Sequence, residues 1–120
     1  MIEVWARQFG EAWANKDVDA VMSLFAQSEL TYYENALNEP IRDWNEVKQL
    51  WNIVPNNQKD IAYQSSVVAE TPDGGIIHWQ MSRTLVPSNE KQVIDGLFEV
   101  KLNKFGECTF FKQWRSVKSL

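Results

Sequence analysis

Cysteine and histidine occur once each, as Cys108 and His78. A lone cysteine cannot close an internal disulfide, and with a single histidine there is no Cys/His set for a structural zinc. The chain also lacks an excess of positive charge. Sixteen acidic against twelve basic side chains leave a net charge of -4 and a pI near 5.0, so a partner tracked through its phosphates, nucleic acid above all, is not expected. Nowhere do as many as about 18 apolar residues run together, and the N-terminus is already charged at Glu3 and Arg7 where a signal peptide would be apolar. No membrane partner is expected, and the expected location is cytoplasmic. Gly-rich phosphate loops, metal-ligand clusters and Ser/His/Asp spacings are missing too, so no cofactor or metal is expected. At 120 residues the chain has room for one domain, residues 1–120. What it does have is apolar material, 44% hydrophobic and 12% aromatic with six tryptophans, enough for a core without staples.

Ile2, Trp5, Phe9, Ala12 and Trp13 recur at helical spacing, with Glu3, Arg7, Gln8 and Glu11 on the other side. Asn15-Lys16-Asp17 interrupts that helix, and Asp17 can cap a second, short one whose Val18, Val21, Met22 and Phe25 share a face. Leu30 to Glu34 reads as a short strand. Asp43, with Glu46 three places on, caps a third helix that must end by Val54 because Pro55 follows; Trp44, Val47, Leu50, Trp51 and Val54 form its stripe. From Asp60 onward, four strand-like runs are separated by turn chemistry at residues 72–75, 87–90 and 103–106. Three helices followed by a meander predict an α+β fold, helices laid on one face of a curved antiparallel sheet.

Alternation assigns the faces. Ile77, Trp79, Met81, Arg83 and Leu85 share one parity, and Ile94, Gly96, Phe98, Val100 and Leu102 share the other in the next strand, so both sets look inward across an even-numbered loop. A loop of residues 87–90 would set Trp79 opposite Phe98 and Met81 over Gly96. In the last strand the pattern is ambiguous. A four-residue loop at 103–106 turns Thr109, Phe111, Gln113 and Arg115 inward, with Gln113 beside Gly96 and Arg115 beside Ile94, whereas a bulge at Gly106 would reverse them.

With the helix-helix-strand-helix-meander order, Phe25-Ala26 before the first strand, Asp95-Gly96-Leu97-Phe98 in the fourth, and Gly106-Glu107-Cys108-Thr109 before Gln113-Trp114, the sequence resembles the SnoaL-like families of the nuclear transport factor 2-like superfamily. This α+β cone is shared by ketosteroid isomerases, polyketide cyclases and limonene epoxide hydrolases. The likeness runs over essentially the whole chain. It implies an apolar pocket between helices and inner sheet, and often a dimer through the outer sheet face. The oxyanion-hole acid of the isomerases stands eight places before the strand-turn glycine, and with Gly106 as that glycine the slot holds Phe98. Their general base closes the first strand, where this chain has Glu34. The acid that an epoxide hydrolase would want in the last strand is replaced by Gln113, and Met81 and Leu85, two places either side of Arg83, supply no partner acid.

Glu34 is accordingly the candidate catalytic residue, a carboxylate at a pocket mouth that desolvation could turn into a base. Trp51, Trp79, Met81, Arg83, Phe98, Phe111, Gln113 and Arg115 are the candidate substrate-binding residues, with Gln113 as polar anchor. Asp95 and Glu99 stand about 13 Å apart, at ~3.3 Å per residue, too far for a glycosidase pair. His78 is expected opposite Glu99 on the outer face, and Cys108 lacks a neighbour to lower its pKa. Three readings follow: a pocket protein binding a small, partly apolar molecule; a cofactor-free isomerase, cyclase or hydratase using Glu34; and a dimeric interaction scaffold. Leu97, Phe110 and Trp114 on the outer face predict a homodimer. Arg83 and Arg115 stand on strands flanking Ile94 with backbones about 10 Å apart at ~4.8 Å per strand: either both reach solvent or are neutralised by an acid such as Glu34, or they converge on a carboxylate of the ligand.

Overall fold

The apolar periodicity of the N-terminal third becomes helix, and the alternation of the rest becomes sheet. A computed structural model describes all 120 residues. Helix α1 (Ile2–Ala14) buries Ile2, Trp5, Ala6, Phe9, Ala12 and Trp13. Helix α2 (Val18–Met22) is capped by Asp17, whose carboxylate accepts from the Ala20 N–H at 3.1 Å. Strand β1 (Thr31–Tyr33) follows. Helix α3 (Trp44–Asn52) starts at Asp43, which accepts from the N–H groups of Asn45 and Glu46 at 2.7 and 3.4 Å. It stops before Pro55, which then opens the short helix α4 (Val54–Asn57), where the missing proline N–H leaves no bond unmade. Of the expected α3 stripe, Val47, Trp51 and Val54 are buried while Trp44 and Leu50 remain half-buried. No helix is long and apolar enough to cross a membrane.

Strands β2 (Gln58–Thr71), β3 (Gly74–Leu85), β4 (Lys91–Leu102) and β5 (Cys108–Ser119) form the antiparallel meander. Strand β1 adds to its end parallel to β5, which makes the sheet mixed, in the order β1-β5-β4-β3-β2. The helices cover one face, and the α+β cone expected from the sequence is the fold observed.

The inward parities of β3 and β4 hold, but their register is two residues away from expectation. Trp79 pairs with Gly96 and Met81 with Ile94. The loop is Val86–Asn89, one residue earlier than the run 87–90: the Leu85 N–H donates to the Glu90 carbonyl at 2.8 Å, the Asn89 N–H donates to the Leu85 carbonyl at 2.9 Å, and Asn89 takes a left-handed φ of 61°. Sliding a loop by one residue keeps every face and moves every partner by two.

Between β4 and β5 two irregularities offset each other. The loop has an odd length, with Leu102 paired to Cys108, but Thr109 is then an extra residue before Lys101 pairs with Phe110. Phe111 and Gln113 therefore stay inward, Gln113 beside Phe98 and Arg115 beside Gly96. Thr109 does not face in as expected; fully buried Cys108 holds the inner place and Thr109 is half-exposed. The same two-residue slide moves His78 away from Glu99: it pairs with Leu97, and its Nε2 lies 2.6 Å from Asp95 Oδ1.

The core between the layers is largely aromatic. Phe9 is its hub, with ring centroids of Trp13, Trp51, Phe98 and Phe111 at 5.4–5.8 Å. Trp79 stacks on Phe98 at 4.7 Å with planes 10° apart.

Candidate functional site

Past the end of β1 the chain continues the strand's alternation, so Tyr32 and Glu34 share its inner side. Tyr32 pairs with Phe111, and the two rings stack at 4.9 Å. The Trp51 indole N–H, coming from α3, donates to the Tyr32 hydroxyl at 3.2 Å. Around these groups lies a cavity of about 190 Å³, lined on its polar side by Glu34, Gln58, Arg83, Gln113 and Arg115 and on its apolar side by Phe9, Trp13, Leu50, Trp51, Val54 and Phe111.

Each polar group has a different state. Burial raises the Glu34 carboxyl above its ordinary value, against the opposing pull of Arg115, the Tyr32 hydroxyl and Arg83. Arg115 reaches in from the exposed rim and brings Nη1 to 4.0 Å from Glu34 Oε1. Arg83 is half-buried; its Nε donates to Gln92 Oε1 at 3.0 Å, and burial together with the charge of Arg115 lowers its pKa. Gln58 is already engaged, its Oε1 accepting from the Trp13 indole N–H at 3.2 Å. Gln113 is 5% exposed, and none of the side-chain hydrogen bonds around the site involves its amide, which opens on the cavity. Burial pushes the Tyr32 hydroxyl up, so it remains a neutral donor at any ordinary pH. Cys108, buried and likewise pushed up, is an inert thiol.

Glu34, Trp51, Arg83, Phe111, Gln113 and Arg115 thus meet in one cavity. Trp79, Met81 and Phe98 lie outside its lining. The reason is α1: Trp13 packs on Trp79 at 5.4 Å and Phe9 on Phe98 at 5.4 Å, so helix-borne rings fill that part of the inner face. Met81 is buried one row further on, opposite Ile94. Arg83 pairs with Gln92 and Arg115 with Gly96, so their backbones stand four residues apart along β4 and not on the one row expected. Their long side chains nevertheless line the same cavity. Sequence reading missed Tyr32, Trp13 and Gln58. Tyr32 was legible, two residues before Glu34 on the same strand face, and Trp13 was legible four residues after Phe9; Gln58 gave no signal.

A wider hollow of about 620 Å³ runs from His78, Asp95, Leu97 and Trp114 on the outer sheet face to Glu34, Gln113 and Arg115, which it shares with the inner cavity. On its outer side His78 Nε2 and Asp95 Oδ1 already engage each other, and Asp95, Leu97 and Trp114 are exposed. The inner cavity is smaller, and it combines walls of buried aromatic rings with polar groups not fully engaged by the chain.

An α+β cone whose helices leave an inner cavity of this kind defines the nuclear transport factor 2-like class. Within that class the chain belongs to the SnoaL-like domain family, whose model matches residues 6–109. The fold is similar to that of an NTF2-like protein of unknown function from Exiguobacterium sp. 255-15, at 15% identity and TM-score 0.78 over 93% of this chain and 98% of that one. It is similar also to SalBIII, an epoxide hydrolase/cyclase-like enzyme with a role in pyran ring formation in the polyether salinomycin (11% identity, TM-score 0.84, 98% and 95% covered). A third likeness is to a type 2 hexachlorocyclohexane dehydrochlorinase, LinA (12% identity, TM-score 0.79, 99% and 86% covered). At these identities the likeness is one of fold. No curated protein matches the chain in sequence.

Proposed function

We propose that this chain binds a small, partly apolar molecule in the cavity between α1, α3 and the inner sheet face. The observation that carries the reading is Gln113: its side chain makes no hydrogen bond within the chain and lines a cavity walled by buried rings, so its amide is available to a ligand. Arg83 and Arg115 in the same lining favour a carboxylate as the polar end of that molecule. The volume, about 190 Å³, equals roughly six waters at ~30 Å³ each, so the occupant is compact, on the scale of one ring. Trp13 and Trp51 line the cavity, so intrinsic fluorescence reports occupancy. Titration of ring compounds should give saturable changes in the unmodified chain and at least tenfold weaker binding in Gln113→Leu with an unchanged circular dichroism spectrum. Equal affinity in that variant would overturn the role of Gln113 as polar anchor.

A second reading, a cofactor-free isomerase, cyclase or hydratase, is favoured by one observation: Glu34 is desolvated and its carboxyl raised, the condition under which a carboxylate becomes an effective base. Glu34→Gln should then abolish turnover while leaving occupancy measurable. The reading extends to assembly and place. Leu97 and Trp114, 41% and 42% exposed on the outer face, support a homodimer through that face, and a single 14.0 kDa species in sedimentation at high concentration would refute it. A cytoplasmic location suits a chain whose one cysteine is unpaired.

A further inference from the structure

At one end of the sheet a row of side chains crosses three strands: Arg83 on β3 pairs with Gln92 on β4, and Gln92 pairs with Ser119 on β5. Gln92 continues the inward parity of Ile94, Gly96 and Phe98, so its amide lies on the face that bears Arg83. Its Oε1 accepts from Arg83 Nε at 3.0 Å, and its Nε2 donates to Glu90 Oε2 at 3.4 Å. Glu90 is fixed in turn, its Oε1 accepting from Ser119 Oγ at 2.7 Å. The orientation of the Gln92 amide is thus set on both sides, carbonyl towards the cation and amino group towards the acid. Arg83 lines the inner cavity and Gln92 stands behind it, outside the lining.

The other guanidinium of the lining is already matched, since Arg115 Nη1 stands 4.0 Å from Glu34 Oε1. Arg83 takes part in none of the chain's ion pairs, and the acid of its own network, Glu90, reaches it only through a neutral amide. Two guanidinium groups against one carboxylate leave the lining with one positive charge, and that charge belongs to Arg83. An amide behind Nε holds a guanidinium without cancelling its charge, whereas an acid in the same place would hold it and cancel it. With Nε occupied, the Nη groups, which make no hydrogen bond within the chain, remain for a ligand.

We propose that the cavity takes a monocarboxylate whose carboxylate pairs with the Nη end of Arg83, and that Gln92 is the positioning residue that keeps this guanidinium on the lining with its charge uncancelled. The inference rests on the small-molecule reading given above and adds which arginine receives the anion and which residue holds that arginine. Glu34 and the ligand carboxylate both stay ionised, because each has a guanidinium of its own. No covalent bond forms or breaks. An arginine at a sheet end with nothing to bind would turn its head to water; here the bond to Gln92 ties it to the inner face.

The probes are benzoate and its neutral isostere benzamide, titrated by tryptophan fluorescence, and the readout is the ratio of their affinities in each protein. The unmodified chain should prefer benzoate by about tenfold or more. Gln92→Glu sets an acid on Arg83 Nε in place of the amide, while exposed Glu90 is free to swing away. The preference should then fall to about twofold or less, with benzamide bound as before. Gln92→Leu removes the acceptor and adds no charge, and Arg83→Lys keeps the charge but has no Nε to hold; both should weaken benzoate about three- to tenfold and leave benzamide alone. In Arg83→Met the preference should vanish, and adding Gln92→Glu should change nothing further, as for a residue that acts through Arg83. A purely structural Gln92 would move both probes together. A benzoate preference that survives Gln92→Glu or Arg83→Met overturns the inference, and so does a Gln92→Glu effect that persists undiminished without Arg83. Equal binding of both probes by the unmodified chain overturns it while leaving the small-molecule reading intact, whereas no binding of either probe counts against both. If Gln92→Glu fails to fold, Gln92→Leu decides: benzoate affinity unchanged in that variant overturns the role of Gln92.

Discussion

The inner face of the sheet has two halves built from the same alternation of apolar and polar residues, and they end in opposite states. In one half, Trp79 and Phe98 stack at 4.7 Å and are capped by Phe9 and Trp13 from α1, so no space remains. In the other half, Tyr32 and Phe111 stack just as closely, at 4.9 Å, but their neighbours along the strands are Glu34, Gln113 and Arg115. Long polar side chains cannot interlock with a helix face as rings do, because each must keep its charge or amide in contact with something polar. The helices α3 and α4 therefore cover this half incompletely, and the cavity is what they leave. A binding site here is the part of a core where residues of the inward parity stop being apolar.

Breaking the closed half should have the largest effect. Phe9 is 1% exposed and touches rings of both halves, so Phe9→Ala should destabilise the fold by about 3–5 kcal/mol in urea denaturation. A loss below about 1 kcal/mol, well under the range for a buried ring, would mean that the aromatic core is not the keystone described here. Gly96→Ala tests the same half more gently. A Cβ at this position runs into the Trp114 carbonyl oxygen and the Trp79 indole, and backbone cannot yield as a side-chain tip does. The expected loss is about 1–3 kcal/mol, with a changed near-ultraviolet signal from Trp79. An unperturbed tryptophan signal would place that indole elsewhere.

How far these halves were legible in the sequence follows from what alternation carries. Parity was enough to turn Trp79 and Phe98 inward, and the Asp17 and Asp43 caps marked two helix starts, because these are local rules. Register was not local. The Asn89 left-handed turn moved the β3–β4 loop by one residue, and with it the partners of Trp79 and His78 slid by two. On the last strand an odd loop and the extra Thr109 offset each other, so Phe111 and Gln113 faced inward: an irregularity at Gly106 could be foreseen, the extra residue that cancels it could not. Which half would be closed was beyond sequence reading, since it depends on where α1 lies across the sheet. The pairing of β1 with β5 was equally hidden, because two short segments far apart in the chain carry no mark of each other.

The open half offers the smallest and most selective contrast, because Glu34 couples it to pH. Its carboxyl is raised in the folded chain, by burial first, with Arg115, Tyr32 and Arg83 opposing. In the unfolded chain it titrates near the ordinary value of about 4.3. The folded state therefore holds its proton more tightly, so the favourable contribution is complete below the unfolded value and is lost as pH rises through the folded one. Glu34→Gln removes this titration and leaves the rest of the chain's acids in place. The stability of the unmodified chain relative to the variant should thus decline as pH rises from about 4 towards 7, and level off once the folded carboxyl has ionised. The slope should be shallow, because Glu34 is partly exposed at the cavity mouth and Arg115 stands beside it. Phe9→Ala and Gly96→Ala, measured across the same range, should shift stability by a constant amount, since neither residue titrates. A relative stability that instead rises with pH would mean that the ion pair with Arg115 outweighs burial at Glu34, and the open half would then be an electrostatic clasp and not a desolvated site.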